Sequence, residues 1–422
     1  MRALLLKALI GKELKELTLI IEDGIVSKRL LNTDEAICRN IECIDLREKG
    51  IALPGFIDLH AHLRGLELSY KEDEESGTKA AARGGFTGIV DMPNTKPKID
   101  NTKSLNLKIK SLYEKAYVNF GISVTIGKDV DDFIEMLKAK EVVSVGELFP
   151  EEHERLPEIL KSFVANGIEK PIIIHLEHKD ALGECGKGKR WACRPIESEM
   201  LALKEIGYML ESARIKAKLH ITHVTNKYVY EMAKKYKFTT DTCPHYLYLS
   251  SEDEEKFGCL AKVNPPLRTR DIAKELIGLL PHFDAISTDH APHSIEEKSL
   301  PFEKCPSGIA SIEIAVPLMI NLVNKGILNL EDLIQLLSMG PHKILNMKPG
   351  WGCFDIGCKA NYTVVDLDKE WKIDSSKFYT KARFSPYDGL IIKGDVSSTI
   401  INGTVVYLDG EIIERPKISY LK

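Results

Sequence analysis

The chain has 422 residues, 44% of them apolar, and a formal net charge of −4 with both signs interspersed. That balance argues against a nucleic-acid or anionic-membrane partner, and the apolar runs are too short to span a bilayer. The length holds a large core divided among two or three domains. Nine scattered cysteines read as reduced thiols, with Cys353 and Cys358, or Cys185 and Cys193, as the pairs able to join or to bind metal. The opening MRALLLKALIGKELKEL carries no small-residue cleavage site and is quickly charged, so it reads as structure, and the expected location is cytoplasmic.

Residues 1–53 alternate short apolar runs with turns, as in LTLIIEDGIV and IECIDL, and Asp23–Gly24 is a hairpin signal. The same character returns over 347–422 in NYTVVDL and STIINGTVVYLDGEIIE, with turns at Asn402–Gly403 and Asp409–Gly410. An isolated hairpin is marginal, so the two chain ends are expected to pair as one β domain.

Between them lies LPGFIDLHAHLR, from Leu53 to Arg64. In an extended strand alternate side chains share a face, so Asp58, His60, His62 and Arg64 project from one side where an apolar strand runs out. Two imidazoles on one face make half of a zinc-type site, although an isolated His-x-His is more often a pair of hydrogen-bonded histidines.

The middle of the chain, 54–346, alternates strand-like TGIVDM, VNFGISV, VVSVGELF, PIIIHL, KLHITHV, FTTDT and DAIST with helical or loop-length segments. The helical ones are SGTKAAARGG, NTKSLNLKIKSLYEKA, DVDDFIEMLKA, IESEMLALKEIGYMLESARI and KYVYEMAKKY. With the opening strand the pattern predicts an α/β fold, a (β/α)8 barrel, with a doubly wound sheet as the alternative. A barrel demands chemistry at the C-terminal ends of its strands. His175 ends PIIIH, His223 ends KLHITH and Asp289 follows AIST, which brings four histidines and an aspartate to one mouth. Imidazole and carboxylate suit zinc, and a site with an open position binds and acidifies water.

DLHAHLR, SGTKAAARGGFTGIVDMPNTKP, LHITHVT, CPHYLYL, KVNPPLR and STDHAPH resemble the dihydroorotase family, in the cyclic-amidase branch of the amidohydrolase superfamily. The likeness runs nearly end to end. It implies a TIM barrel with a composite β-sandwich from both chain ends. It also implies two zinc ions per subunit, or one, held by His60, His62, His175, His223 and Asp289. The implied reaction is the reversible cyclisation of N-carbamoyl-L-aspartate to L-dihydroorotate in pyrimidine biosynthesis, with Asp289 moving the proton. By the same resemblance Arg64, Asn94 and His293 hold the substrate carboxylate. Asn264 takes the ring amide, with backbone around Pro306–Ser307–Gly308 helping, and the stretch from Ser294 to Pro306 is the expected closing loop. Homo-oligomerisation or association with an aspartate transcarbamylase is left open.

The sequence departs from the family at the metal bridge. Where relatives carry a carboxylated lysine, this chain reads Gly146-Glu147-Leu148-Phe149, and Glu147 is expected to bridge the metals. The supporting argument is register, because VVSV delivers residue 147 to the strand's C-terminal end and Leu148–Phe149 match the apolar pair after the family's lysine. Strand parity, with Val143, Val145 and Glu147 on one face, adds a check. Lys138 and Lys140 fall before the strand. His220, His245 and His290 read as supporting or structural groups, and His153, His178, His282 and His342 as loop or helix surface. Two other readings remain: a hydantoinase or allantoinase, which has no need of Arg64 and Asn94 together, and a metal-free assembly protein of the same fold.

Overall fold

A computed structural model describes residues 1–31, 35–213 and 217–421. Eight parallel strands follow one another in chain order: Phe56–Ala61, Phe86–Asp91, Asn119–Val124, Val142–Leu148, Ile172–Ile174, Leu219–Ile221, Thr239–Thr242 and Ala285–Ile286. His62 N donates to the His290 carbonyl at 2.8 Å, and Ala61 bridges His290, so the eighth strand's exit meets the first strand. This is the predicted (β/α)8 barrel. Its strands are covered on both sides and therefore read as apolar runs without clean alternation.

The helices start where local chemistry sets them. Asp73 caps Glu74–Arg83 by accepting from the Glu75 and Ser76 amides, and Ala80, Ala81 and Ala82 let that helix lie close on the barrel. Asn101 caps Thr102–Lys115 in the same way. The long helix is described over Ile196–Ala213, and the last two residues of its predicted span, 214 and 215, lie outside the described residues.

The chain ends form one nine-stranded sheet, with five strands between Arg2 and Pro54 and four between Tyr362 and Ile412. The two groups join where Ile51–Pro54 pairs antiparallel with Tyr362–Val365. Both residues of each predicted turn, Asp23–Gly24, Asn402–Gly403 and Asp409–Gly410, have positive φ, as tight hairpins require. One face buries Leu4, Leu6, Leu17, Leu19, Tyr362 and Val364 together, while Val396 and Val406 pack into the barrel's own core. Beyond the sheet the chain returns to the barrel, where Leu421 is buried and its amide bonds to the Phe120 carbonyl.

Two expectations are corrected here. Eight cysteines pair as Cys38–Cys43, Cys185–Cys193, Cys259–Cys305 and Cys353–Cys358, leaving Cys243 free and buried. Three of these pairs are 5 to 8 residues apart, so tight local turns bring them together, while folding joins the fourth. Strand parity at residues 143–147 also fails. Val143 packs with Val90 and Ile173, Val145 belongs to a different apolar cluster, and the backbone turns at Gly146 with φ of 108°. A Cβ at Gly146 would sit 2.2 Å from the Ile173 carbonyl oxygen, so only glycine fits there. No helix among the described residues is long and apolar enough to cross a membrane.

Candidate metal centre and substrate cavity

Six predicted residues converge at the C-terminal mouth of the barrel: His60, His62, Glu147, His175, His223 and Asp289, each at most 8% exposed. The sets His60, Glu147, His223 and His60, His62, Asp289 each bring three ligand atoms within 4.8 Å of one another. Glu147 sits among the imidazoles, with Oε1 2.8 Å from His175 Nδ1 and 2.7 Å from His223 Nε2, and Oε2 3.2 Å from His60 Nε2. Asp289 Oδ1 is 3.1 Å from His62 Nε2 and 3.6 Å from His60 Nε2. Lys138 and Lys140 are exposed, and Lys138 pairs with Glu135. Neither stands near the centre.

The backbone is unusual at this mouth. Arg64, His223 and Asp289 all have positive φ, between 43° and 54°, a conformation that non-glycine residues adopt chiefly where the surroundings impose it. Burial disfavours the charged imidazoles, but the charge and hydrogen bond of Glu147, with Asp289 and Asp241, raise His60 to about 9. His175 is raised to about 10 against the same burial by Glu147 and Glu177. Burial would raise Glu147 and Asp289, yet the surrounding histidines hold both carboxyls well below their usual range. A cluster that collects protons among fixed carboxylates offers the donor set a divalent cation takes, with those protons displaced on binding.

Three of the ligand histidines have outer partners, two of them from residues that sequence reading missed. His60 Nδ1 lies 2.9 Å from Thr222 Oγ1, which donates to Asp241. His175 Nε2 lies 2.7 Å from Glu177 Oε2, and Arg194 bonds to that carboxylate. His62 Nδ1 lies 2.6 Å from Asn94 Oδ1. Such partners fix the ring orientation of a metal-binding histidine. The signal for Glu177 was present as His-x-Glu at 175–177, while Thr222 and Arg194 carry none. His153, read as surface, is buried behind the centre with Nε2 2.9 Å from the His175 carbonyl. His220 pairs with Asp241, and His290 lies 3.5 Å from Glu72, so both are structural. Both ring nitrogens of His245 are buried without a hydrogen bond.

Facing the cluster across a cavity of about 90 Å³ are Arg64, Asn94, Asn264, Ser307 and Gly308. The Arg64 guanidinium is 7% exposed, and no carboxylate among the described residues lies within ion-pair distance of it. Its neighbours are the Pro292 carbonyl at 3.4 Å and His293 at 3.5 Å. The loop that carries it is fixed by the fully buried Lys108, which bonds to the Arg64 carbonyl at 3.1 Å and pairs with Glu74 and Asp91 at 2.8 Å. His293 departs from its expected role. Its Nε2 donates to the Ser307 carbonyl at 2.9 Å, its Nδ1 faces Lys71 and Glu297, and burial with the nearby Arg64, Lys298 and Lys71 charges lowers it to about 3. It buttresses the clamp instead of lining the cavity.

The expected closing stretch, 294–306, is already folded down. It contains the short helix Ile295–Lys298 and is tied by Cys259–Cys305. Lys262 Nζ donates to the Phe302 and Cys305 carbonyls at 2.7 and 2.8 Å, and Lys298 Nζ to those of Cys259 and Pro306 at 2.8 and 2.9 Å.

Comparison with known proteins gives a family match over residues 51–406 to the amidohydrolase family. A dihydroorotase of Pyrococcus horikoshii is 35% identical over 379 residues, covering 88% of this chain and 84% of that protein. A dihydroorotase of Saccharolobus solfataricus is 34% identical, covering 96% of this chain and 95% of its own. Among solved structures, an L-hydantoinase (dihydropyrimidinase) from Arthrobacter aurescens superposes with a TM-score of 0.91 at 24% identity, covering 100% of this chain and 99% of that one. At that identity the likeness speaks to the fold.

Proposed function

This chain belongs to the amidohydrolase family and is a hydrolase of cyclic amides, and from that premise we propose that it is a zinc-dependent dihydroorotase, interconverting N-carbamoyl-L-aspartate and L-dihydroorotate in pyrimidine biosynthesis. The observation that carries the reading is Arg64: a buried guanidinium without a carboxylate partner, across the cavity from the imidazole–carboxylate cluster. Leaving such a cation unpaired is costly, and a planar bidentate donor suits a carboxylate. L-Dihydroorotate carries that carboxylate on its ring, whereas hydantoin and allantoin do not. The proposal includes a cytoplasmic location.

His60, His62, Glu147, His175, His223 and Asp289 would hold two zinc ions, and Glu147 would supply a carboxylate the ions share. The chemistry such ions supply is acidification of water and polarisation of a carbonyl. The protein's own groups do the rest. Arg64 and the amide nitrogen of Asn94 hold the substrate carboxylate and so fix the ring against the cluster. The Asn94 oxygen meanwhile steadies His62. Asp289, ionised beside His62 and His60, accepts the proton of the attacking water and returns it to the departing ring nitrogen. In the closing direction it takes the proton from the ureido nitrogen. The pinned stretch 294–306 limits water around the ring. Because Glu147 carries its carboxylate natively, activity and metal content should be indifferent to carbon dioxide.

The test is turnover of L-dihydroorotate, hydantoin and allantoin side by side, with metal analysis of the same sample. Preference for hydantoin or allantoin would overturn the substrate reading. Absence of metal together with absence of turnover would favour the assembly-protein reading, although none of the six ligand candidates is missing from the sequence.

A further inference from the structure

The loop after the fifth strand brings a second buried guanidinium to the cavity wall. Arg190 is 5% exposed and opens the short helix Arg190–Cys193, in a loop closed by Cys185–Cys193. Its Nη1 donates to Glu254 Oε2 at 3.2 Å and to the Val263 carbonyl at 2.8 Å, and its Nη2 donates to Asn264 Oδ1. Ser307 Oγ donates to the same amide oxygen at 3.2 Å. Asn264 and Ser307 form the wall shared by the catalytic cavity and a neighbouring cavity of about 430 Å³, which Arg190 lines.

A side-chain amide has two faces, one accepting and one donating, and position alone rarely says which is which. Here the partner decides. A guanidinium only donates, so the atom it touches must be the amide oxygen. The NH2 group is then left at the cavity wall, where no described residue accepts from it. We propose that Arg190 is a positioning residue that locks Asn264 as a hydrogen-bond donor, so that the site selects rings presenting a carbonyl oxygen, not a ring N–H, at that wall. This rests on the cyclic-amide reading of the same cavity and sharpens it. A site built to donate rejects a ligand lacking the acceptor, because its own group is left unpaired.

The experiment is a double-mutant cycle with Arg190→Lys and Asn264→Ala, read as KM and kcat separately. Lysine keeps a cation for buried Glu254, which favours folding, but one ammonium cannot span the three acceptors. Arg190→Lys should raise the KM for L-dihydroorotate about 10-fold with kcat within about 2-fold, and should add less than about 2-fold when Asn264 is already alanine. Equal effects in both backgrounds would overturn the coupling. Asn264→Asp, nearly isosteric but without the donor, should raise KM at least as far as Asn264→Ala, and a wild-type KM in that variant would also overturn the proposal. If the wild-type enzyme takes hydantoin and not L-dihydroorotate, the substrate reading fails alone and the same cycle is run on hydantoin, whose ring carbonyls test the donor equally.

Discussion

On one wall of the cavity, Glu147 and Asp289 lie within hydrogen-bond or ion-pair distance of all four histidines. On the other, Arg64, Asn94 and Asn264 hold donors to which no carboxylate among the described residues bonds. The first wall is buried and internally paired, and its residues leave barrel strands directly. The second stands on loops, and under the proposed function an anion and a carbonyl would complete it. Under the proposed function the difference separates two tasks: the first wall would hold ions before substrate arrives, and the second would wait for the substrate's own acceptors. Disturbing either wall should therefore leave distinct traces.

The largest effect is expected on the first wall. Glu147→Gln keeps the shape and removes the charge shared by His60, His175 and His223. Loss of a metal-held charge is worth several kcal/mol, so kcat should fall on the order of 10³-fold. Metal analysis should show the loss of at least one ion. An active variant with full metal content would remove Glu147 from the centre and break the contrast between the walls.

Arg64→Met acts on the second wall and should leave metal content unchanged. Removing one partner of a desolvated charge pair costs about 2–5 kcal/mol, so kcat/KM for L-dihydroorotate should drop about 10²-fold or more. Hydantoin turnover, if present at all, should hardly change. Unaltered kinetics on L-dihydroorotate would mean that Arg64 does not clamp the carboxylate.

Glu177→Gln lies behind the first wall and should cost about 10-fold in metal affinity, since it removes the carboxylate that orients His175 but no ligand. Titration with a competing chelator reads this directly. An effect as large as that of Glu147→Gln would mean that Glu177 reaches the ions itself.

The two walls also differ in how far the sequence announced them. His60, His62, His175, His223 and Asp289 were legible because a barrel strand delivers its last residues to one mouth and because apolar runs mark where strands stop. Glu147 stands near the C-terminal end of its strand, as register predicts, but the parity check fails. Parity does not hold across Val143 and Val145, and a left-handed turn at Gly146 delivers the carboxylate instead. Partners from distant loops gave no signal. Lys108 looks like any lysine on an amphipathic helix, yet it is fully buried and braces the Arg64 loop. Arg190 sits in a charged, glycine-rich stretch that reads as surface, and only folding brings it to Asn264. His293 keeps its motif, but its Nε2 is engaged by the Ser307 carbonyl. Of the cystines, Cys185–Cys193 and Cys353–Cys358 were named as pairs able to join, whereas Cys38–Cys43 and Cys259–Cys305 were not: spacing names pairs that can meet, and only the fold says that they do.

The smallest effect concerns the strap that forms the rim of the second wall. Lys298 is buried, and its ammonium is satisfied by two backbone carbonyls with no carboxylate bonded to it. Burial, with the charges of Lys262, Arg190 and Arg64 against a weaker opposing pull from Glu297, lowers it to about 7 from 10.5. The unfolded chain therefore binds a proton that the folded chain has released between these two values. Stability from this group must rise with pH across that window, being lost progressively as pH falls from about 10.5 to about 7 and level below it. Between pH 7 and pH 9 the gain amounts to roughly 2 kcal/mol at most for one proton. A neutral amine still donates to the Cys259 and Pro306 carbonyls, so the strap should stay down while the strain of the charge is relieved. In Lys298→Met that rise should be absent, which denaturant unfolding of both proteins at pH 7 and pH 9 would reveal as a smaller difference for the variant. Metal content should be unchanged at either pH, because the first wall does not share this strap. If wild type and variant gain equally, Lys298 stays protonated throughout, and the rim of the second wall is held by a permanent charge.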